Sequence, residues 1–186
     1  MKIIHQANLD EVKVSTKEEF NGRLLHVWTD KVRLPNGKIT TREIIKHPGA
    51  VAILGITAEQ KVILVKQYRY PVGSVLYELP AGKLDKGEDH LVAAEREFSE
   101  ETGYTAAQWS HLTSIVTTPG FTDEVIHCYL AEGLTKAEQH TDEDEFIDVV
   151  ELSWQEVKQG ILDGTIYDSK SLSAILAYLL RNGIKI

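Results

Sequence analysis

Residues 82–104, GKLDKGEDHLVAAEREFSEETGY, constrain this chain more than any other stretch: seven acidic side chains stand against three basic ones, and Glu95, Glu97, Glu100 and Glu101 crowd into two helical turns. Like charges four apart on a helix cost roughly a few tenths of a kcal/mol per pair, so such crowding marks either a solvated face or a site for a cation. On a helical wheel Leu91, Ala94, Phe98 and Thr102 fall on one stripe, which predicts an amphipathic helix packed on a core. Glu97 and Glu101 lie side by side on the flank of that stripe, with small Ala93 before them leaving room for an approaching group. Glu100 is placed to accept from Arg96, four residues earlier. Gly103 sits where a left-handed residue closes a helix, and Gly82 is read as a tight-loop residue whose neighbouring carbonyls point inward. Carboxylate and carbonyl oxygens suit Mg²⁺ or Mn²⁺; Mg²⁺ takes one or two carboxylates and shares its other positions with water and phosphates.

Strand signals flank this helix on both sides. The stretches 24–34 and 38–46 surround Pro35-Asn36-Gly37, a hairpin pattern. The apolar, β-branched runs 50–56 and 61–68 read as central strands, and 111–118, 125–131 and 147–153 continue the β pattern. A second helix is predicted from Ser153, where Glu156 completes a capping box, and a third over 171–181, with Leu172, Ile175, Leu176 and Leu179 on one face. Strands before and after a central helix, with two more helices near the end, predict an α/β domain of the α+β type built on a mixed sheet. The hairpin precedes the apolar strands, so residues 1–46 are expected to form a small β unit and 47–186 the main domain.

Composition narrows the partners. No apolar run approaches the ~20 residues a membrane span needs. The N-terminal MKIIHQANLDEVKVS carries charges where a secretory signal would be apolar, so cytoplasmic residence is expected. The single Cys128 has no cysteine partner and reads as a buried strand residue. A net charge of −8 argues against a nucleic-acid surface, and a polyphosphate would need placed Arg or Lys residues or divalent cations beside it.

Gly82, five residues, Glu88, seven residues, Arg96-Glu97, apolar Phe98, one residue, Glu100-Glu101, one residue, Gly103 and apolar Tyr104 resemble the Nudix box at every defined position. The resemblance implies a Nudix fold, a mixed β-sheet sandwiched between helices, here with an N-terminal β-strand extension. It implies Mg²⁺-dependent cleavage of a nucleoside diphosphate linked to another group, with Mn²⁺ as a substitute. The implied metal ligands are Glu97, Glu101 and the Ala81 carbonyl, supported by Glu100. Gly82, Glu88, Arg96 and Gly103 would be structural. Pro119, sixteen residues after Gly103, together with YELPAG and the stretch 142–157, resembles the ADP-ribose pyrophosphatase-like members. That subfamily implies a glutamate on the acidic loop acting on the attacking water, Glu145 or Glu143, with a lean to Glu145. It further implies diphosphate contact by Arg69, base stacking by Trp28, a weaker phosphate or ribose role for Arg42, and a homodimer with swapped N-terminal strands. The expected reaction converts ADP-ribose or a related nucleoside diphosphate sugar to a nucleoside monophosphate and a sugar phosphate. The alternatives are a GDP-mannose-type hydrolase and a non-catalytic nucleotide-sugar sensor.

Overall fold

A computed structural model describes residues 4–141 and 145–184. Its larger compact unit comprises Gly49–Ile115 and the chain from Ile126 onward. Strand β4 (Ala50–Ile56) lies at the middle, buried at every residue, as a continuous apolar run of this length predicts. Its alternation splits two cores. Ala52, Leu54 and Ile56 pack with Leu64, Val157, Ile175 and Leu179, whereas Val51 and Ile53 pack with Ile63, Ala93, Ala94 and Phe98.

The sheet runs in the order β10 (Ile147–Ser153), β5 (Lys61–Arg69), β4, β9 (Val125–Lys136), β8 (Tyr104–Val116). β6 (Ser74–Glu78) is paired to β5, and β7 (Ala81–Lys83) to β4. The β4–β9 pair is parallel, while β4–β5, β5–β10, β5–β6 and β4–β7 are antiparallel. The sheet is therefore mixed, as expected. Helix α1 (His90–Thr102) packs on one face, and α2 (Trp154–Asp163) and α3 (Ser169–Arg181) pack on the other.

Capping chemistry sets the helix ends. Asp89 accepts from the Leu91 and Val92 amides at the start of α1, and the Ser153–Glu156 capping box opens α2 as its spacing predicts. Helix α3 starts earlier than residue 171 because Asp168 is its cap, accepting from the Ser171 amide. The buried stripe of α1 also differs from the wheel. Ala93 and Glu101 are buried, and Leu91 is only half-buried, so Ala93 fills the core instead of leaving space beside Glu97. Cys128 is fully buried in β9, its thiol pushed up to about 12 mainly by desolvation.

The second compact unit holds the N-terminal residues through Pro48 together with Val116–Val125. Strands β1 (Val12–Asn21), β2 (His26–Arg33) and β3 (Ile39–Lys46) form an antiparallel sheet in that order. The β2–β3 turn is the predicted one, with Gly37 at φ 82°. Pro119 stands in a turn closed by the Phe121 amide on the Thr118 carbonyl at 3.1 Å. Phe121 then accepts from the Ile45 amide at 2.7 Å, adding this segment to β3.

Candidate active site

Strand β7 joins the acidic helix to the sheet. Pairing of Ala52 with Ala81 and of Val51 with Gly82 holds β7 on β4, and α1 packs over the same strands. The Ala81 amide donates to Glu101 Oε2 at 2.8 Å. Glu97 lies against Gly82 so closely that a Cβ there would sit 1.9 Å from Glu97 Cδ. Gly82 has no positive φ. It is required for the space it leaves, not for the tight-loop conformation its position suggests.

Arg96 organises the remaining carboxylates. Its Nε and Nη2 fork onto the two oxygens of Glu88, each at 3.0 Å, and its Nη1 donates to Glu97 at 2.8 Å and to Glu100 at 3.1 Å. Glu88 also accepts from the Asp85 amide at 3.0 Å, bracing the loop before the helix. The guanidinium is held well above its ordinary range, first by Glu88 and then by Glu97 and Glu100. Glu95 is exposed and stands apart from these contacts. Gly103 closes α1 in the left-handed region at φ 65°, its amide on the Ser99 carbonyl.

Glu97 and Glu101 are thus two neighbouring carboxylates on one helix, Glu101 buried and Glu97 half-buried. Burial raises Glu97 against the pull of Arg96, and Glu100 and Glu145 add to the rise. Burial pushes Glu101 up to about 8, with Glu97 and Glu145 adding and the Ala81 amide and Arg69 opposing. Two such neighbours are poised to gain a cation. The donors are all oxygen, which matches a hard divalent ion. Among the described residues no three Asp, Glu, His or Cys side chains converge as a ready-made cage. That arrangement suits an ion that takes one or two carboxylates and completes its shell with water and phosphate oxygens.

Other residues singled out from the sequence fall as follows. Glu145 is exposed, and its charge acts on both Glu97 and Glu101. Glu143 lies outside the described residues. Arg69 forks onto Glu78, Nε to Oε1 and Nη2 to Oε2, both at 2.8 Å, and its charge reaches Glu101. Trp28 is on β2 of the N-terminal unit, half-buried, with a buried indole N–H that has no hydrogen-bond partner among the described residues. Arg42, on β3 of that unit, pairs with Glu11 through Nη2 at 2.6 Å and Nε at 3.0 Å. Glu78 and Lys170, both buried and in contact, were missed. Glu78 left a signal, one charge among Val75, Leu76, Tyr77 and Leu79 that demands an opposite charge elsewhere, whereas Lys170, between Ser169 and Ser171, left none.

Residues 46–173 match the NUDIX domain family. A methanol dehydrogenase activator from Bacillus methanolicus is 47% identical over 95% of this chain and 96% of its own. The ADP-ribose pyrophosphatase of Bacillus subtilis is 42% identical over 96% of this chain and 97% of its own. A crystal structure of an ADP compounds hydrolase shares the fold with a TM-score of 0.84 at 19% identity, covering 97% of this chain and 100% of that one. Kinship of this extent, with the carboxylate helix seated on the strand end, makes the protein a hydrolase of pyrophosphate bonds. The chain belongs to the Nudix hydrolase family, whose members use divalent metal ions.

Proposed function

We propose that this enzyme hydrolyses ADP-ribose, or a closely related nucleoside diphosphate sugar, in a Mg²⁺-dependent reaction that yields a nucleoside monophosphate and a sugar phosphate. The observation that carries this is the pair of neighbouring carboxylates, buried Glu101 and half-buried Glu97, packed on the Ala81–Gly82 strand end. Glu97, Glu101 and the Ala81 carbonyl would hold Mg²⁺, or Mn²⁺ in its place, with Glu100 in support. When bound, the ion offsets the charge of the diphosphate and stabilises the charge that develops at phosphorus.

The chain's own residues do the rest. Glu145 accepts a proton from the attacking water and aims its oxygen at one phosphorus, in line with the bridging oxygen that leaves. Its place directly before β10, two residues from Ile147, favours it over Glu143. Arg69 binds the diphosphate through the edge its fork leaves over, since Glu78 engages only Nε and Nη2. Trp28 stacks on the base, and Arg42 is a weaker phosphate or ribose contact. Glu88, Arg96, Gly82 and Gly103 shape the loop and helix.

A homodimer with swapped N-terminal strands fits the exposure of all ten residues of β1, among them Val12, Val14 and Phe20. No helix among the described residues is long and apolar enough to cross a membrane, and a lone buried thiol is in keeping with the cytoplasm.

Product identification tests the substrate assignment: the purified protein is incubated with ADP-ribose, GDP-mannose and other nucleotide sugars, with Mg²⁺ and with chelator. AMP and ribose phosphate are expected fastest, and only with the metal; faster turnover of GDP-mannose would remove the ADP-ribose preference. A second reading comes from the 47% relative, a methanol dehydrogenase activator: that this chain raises the activity of such a dehydrogenase. Assaying a methanol dehydrogenase with the protein and with its Glu97→Gln variant tests it, and no stimulation by either removes it.

A further inference from the structure

Glu78 ends β6, three residues before Ala81, and is 1% exposed. A carboxylate taken so far out of water must be compensated, and this one meets two cations. Arg69 forks onto it from one side, while the Lys170 ammonium, itself buried, contacts Oε2. Lys170 also donates to Asp168 Oδ2 at 3.0 Å. Asp168 caps α3, accepting from the Ser171 amide at 3.1 Å and hydroxyl at 2.7 Å, and Ser171 Oγ in turn accepts from the Leu79 amide at 2.8 Å. The first turn of α3 is therefore tied to the strand end that leads into Ala81.

The charges in this cluster do not simply cancel in pairs. Arg69 and Glu78 alone would be neutral, and Asp168 would add a further negative charge, offset only in part by the positive end of α3. Lys170 restores the balance from the buried side. Arg69 meanwhile keeps 39% of its side-chain surface exposed, and its positive charge reaches as far as Glu101.

We propose that Lys170 is a positioning residue for the diphosphate: by neutralising Glu78 and Asp168 from within, it keeps the charge and outer edge of Arg69 available to the substrate's phosphates. This rests on the assignment of Arg69 as a diphosphate contact, and it extends the site to the start of α3.

Steady-state kinetics on ADP-ribose with Mg²⁺ test it in Arg69→Gln, Lys170→Arg, Lys170→Met, Glu78→Gln and the double variant Glu78→Gln/Lys170→Met. Lys170→Met should raise KM about tenfold while kcat stays within about threefold, the signature of weakened ground-state attraction. Lys170→Arg, which keeps the charge, should behave like the parent. The double variant, whose summed charge equals the parent's, should return KM to within about threefold of it, a recovery that a packing role would not produce. The rise in Lys170→Met without that recovery overturns the charge role. An unchanged KM in Lys170→Met, beside a raised KM in Arg69→Gln, overturns the role of Lys170 and leaves Arg69 assigned. An unchanged KM in Arg69→Gln removes the Arg69 assignment and the proposal with it. Should Lys170→Met fail to fold, Glu78→Gln and the double variant differ by the same charge, and equal KM values in those two overturn the proposal.

Discussion

A Cβ on Gly82 would lie 1.9 Å from Glu97 Cδ and 2.1 Å from both its carboxylate oxygens, so any larger residue must displace the carboxylate. Gly82→Ala should therefore lose activity much as Glu97→Gln does, at least about a hundredfold in kcat/KM, through displacement of the proposed ligand packed against it. Kinetics with and without raised Mg²⁺ check this, since a misplaced ligand is partly overcome by excess metal. Glu97→Gln and Glu101→Gln should each reduce turnover by at least about a hundredfold while the fold survives. Near-parent rates in both would remove the metal-ligand assignment. Glu145→Gln should lower kcat by roughly 10²–10⁴ with little change in the Mg²⁺ requirement, and Glu143→Gln should leave it close to the parent. The reverse ranking would move the role to Glu143. That Glu97 and Glu101 lie together on one helix was legible in the sequence because their spacing is a pattern. The reason for Gly82 was not, since it depends on the packing of β7 beneath α1.

At the scale of elements, the acidic helix is held at its far end by the chain that follows β9. The Ala137 amide donates to the Gly103 carbonyl at 2.7 Å, the His140 amide to the Glu100 carbonyl at 3.0 Å, and Gln139 Nε2 to the Glu101 carbonyl at 2.6 Å. Carbonyls that a helix end leaves unpaired are thus satisfied from outside it. Gly103→Ala forces a Cβ into the left-handed region and to 3.1 Å from the Ala137 carbonyl; it should cost about 1–2 kcal/mol, measured by urea unfolding. Gly103 was legible because helix closure is local, but the contacts of residues 137–140 join distant parts of the chain and leave no local mark. The same distinction separates the strands. β4, β5 and the β2–β3 hairpin carry apolar runs or turn residues that announce them. β1 is exposed at all ten residues, so no buried face imprinted an alternation on it. β7 is three residues long and exists through its pairing with β4. Residues 116–125 belong with the N-terminal sheet through the Ile45–Phe121 bond, a pairing across the chain that local sequence does not encode.

For the molecule as a whole, the buried carboxylates set opposing dependences of stability on pH. Glu78 is pushed up by burial, but Arg69 and Lys170 outweigh that and hold it below its ordinary 4.5. Its contribution is present above that value and is lost as the pH falls through the folded-state value. Glu101 behaves in the opposite sense. Burial raises it from 4.5 to about 8, so the folded chain holds this proton more tightly than the unfolded chain does. Its contribution is complete below about pH 4.5 and disappears as the pH rises toward 8, an effect on the order of a few kcal/mol for the metal-free protein. Glu97, also raised, adds in the same direction. The metal-free enzyme should accordingly melt at progressively lower temperature from pH 5 to pH 8. On the proposed assignment Mg²⁺ would bind the ionised pair and stabilise only the folded state, so the gain in Tm on adding it should grow over the same interval. Glu101→Gln, with no carboxylate to ionise, should flatten the metal-free profile and raise Tm at pH 8 above the parent's while removing activity. Thermal melts at several pH values, with Mg²⁺ and with chelator, measure all three quantities. A metal-free parent whose Tm is level from pH 5 to pH 8 would show that Glu101 ionises at no cost to the fold, and a Tm that rises over the interval would reverse the sign argued here.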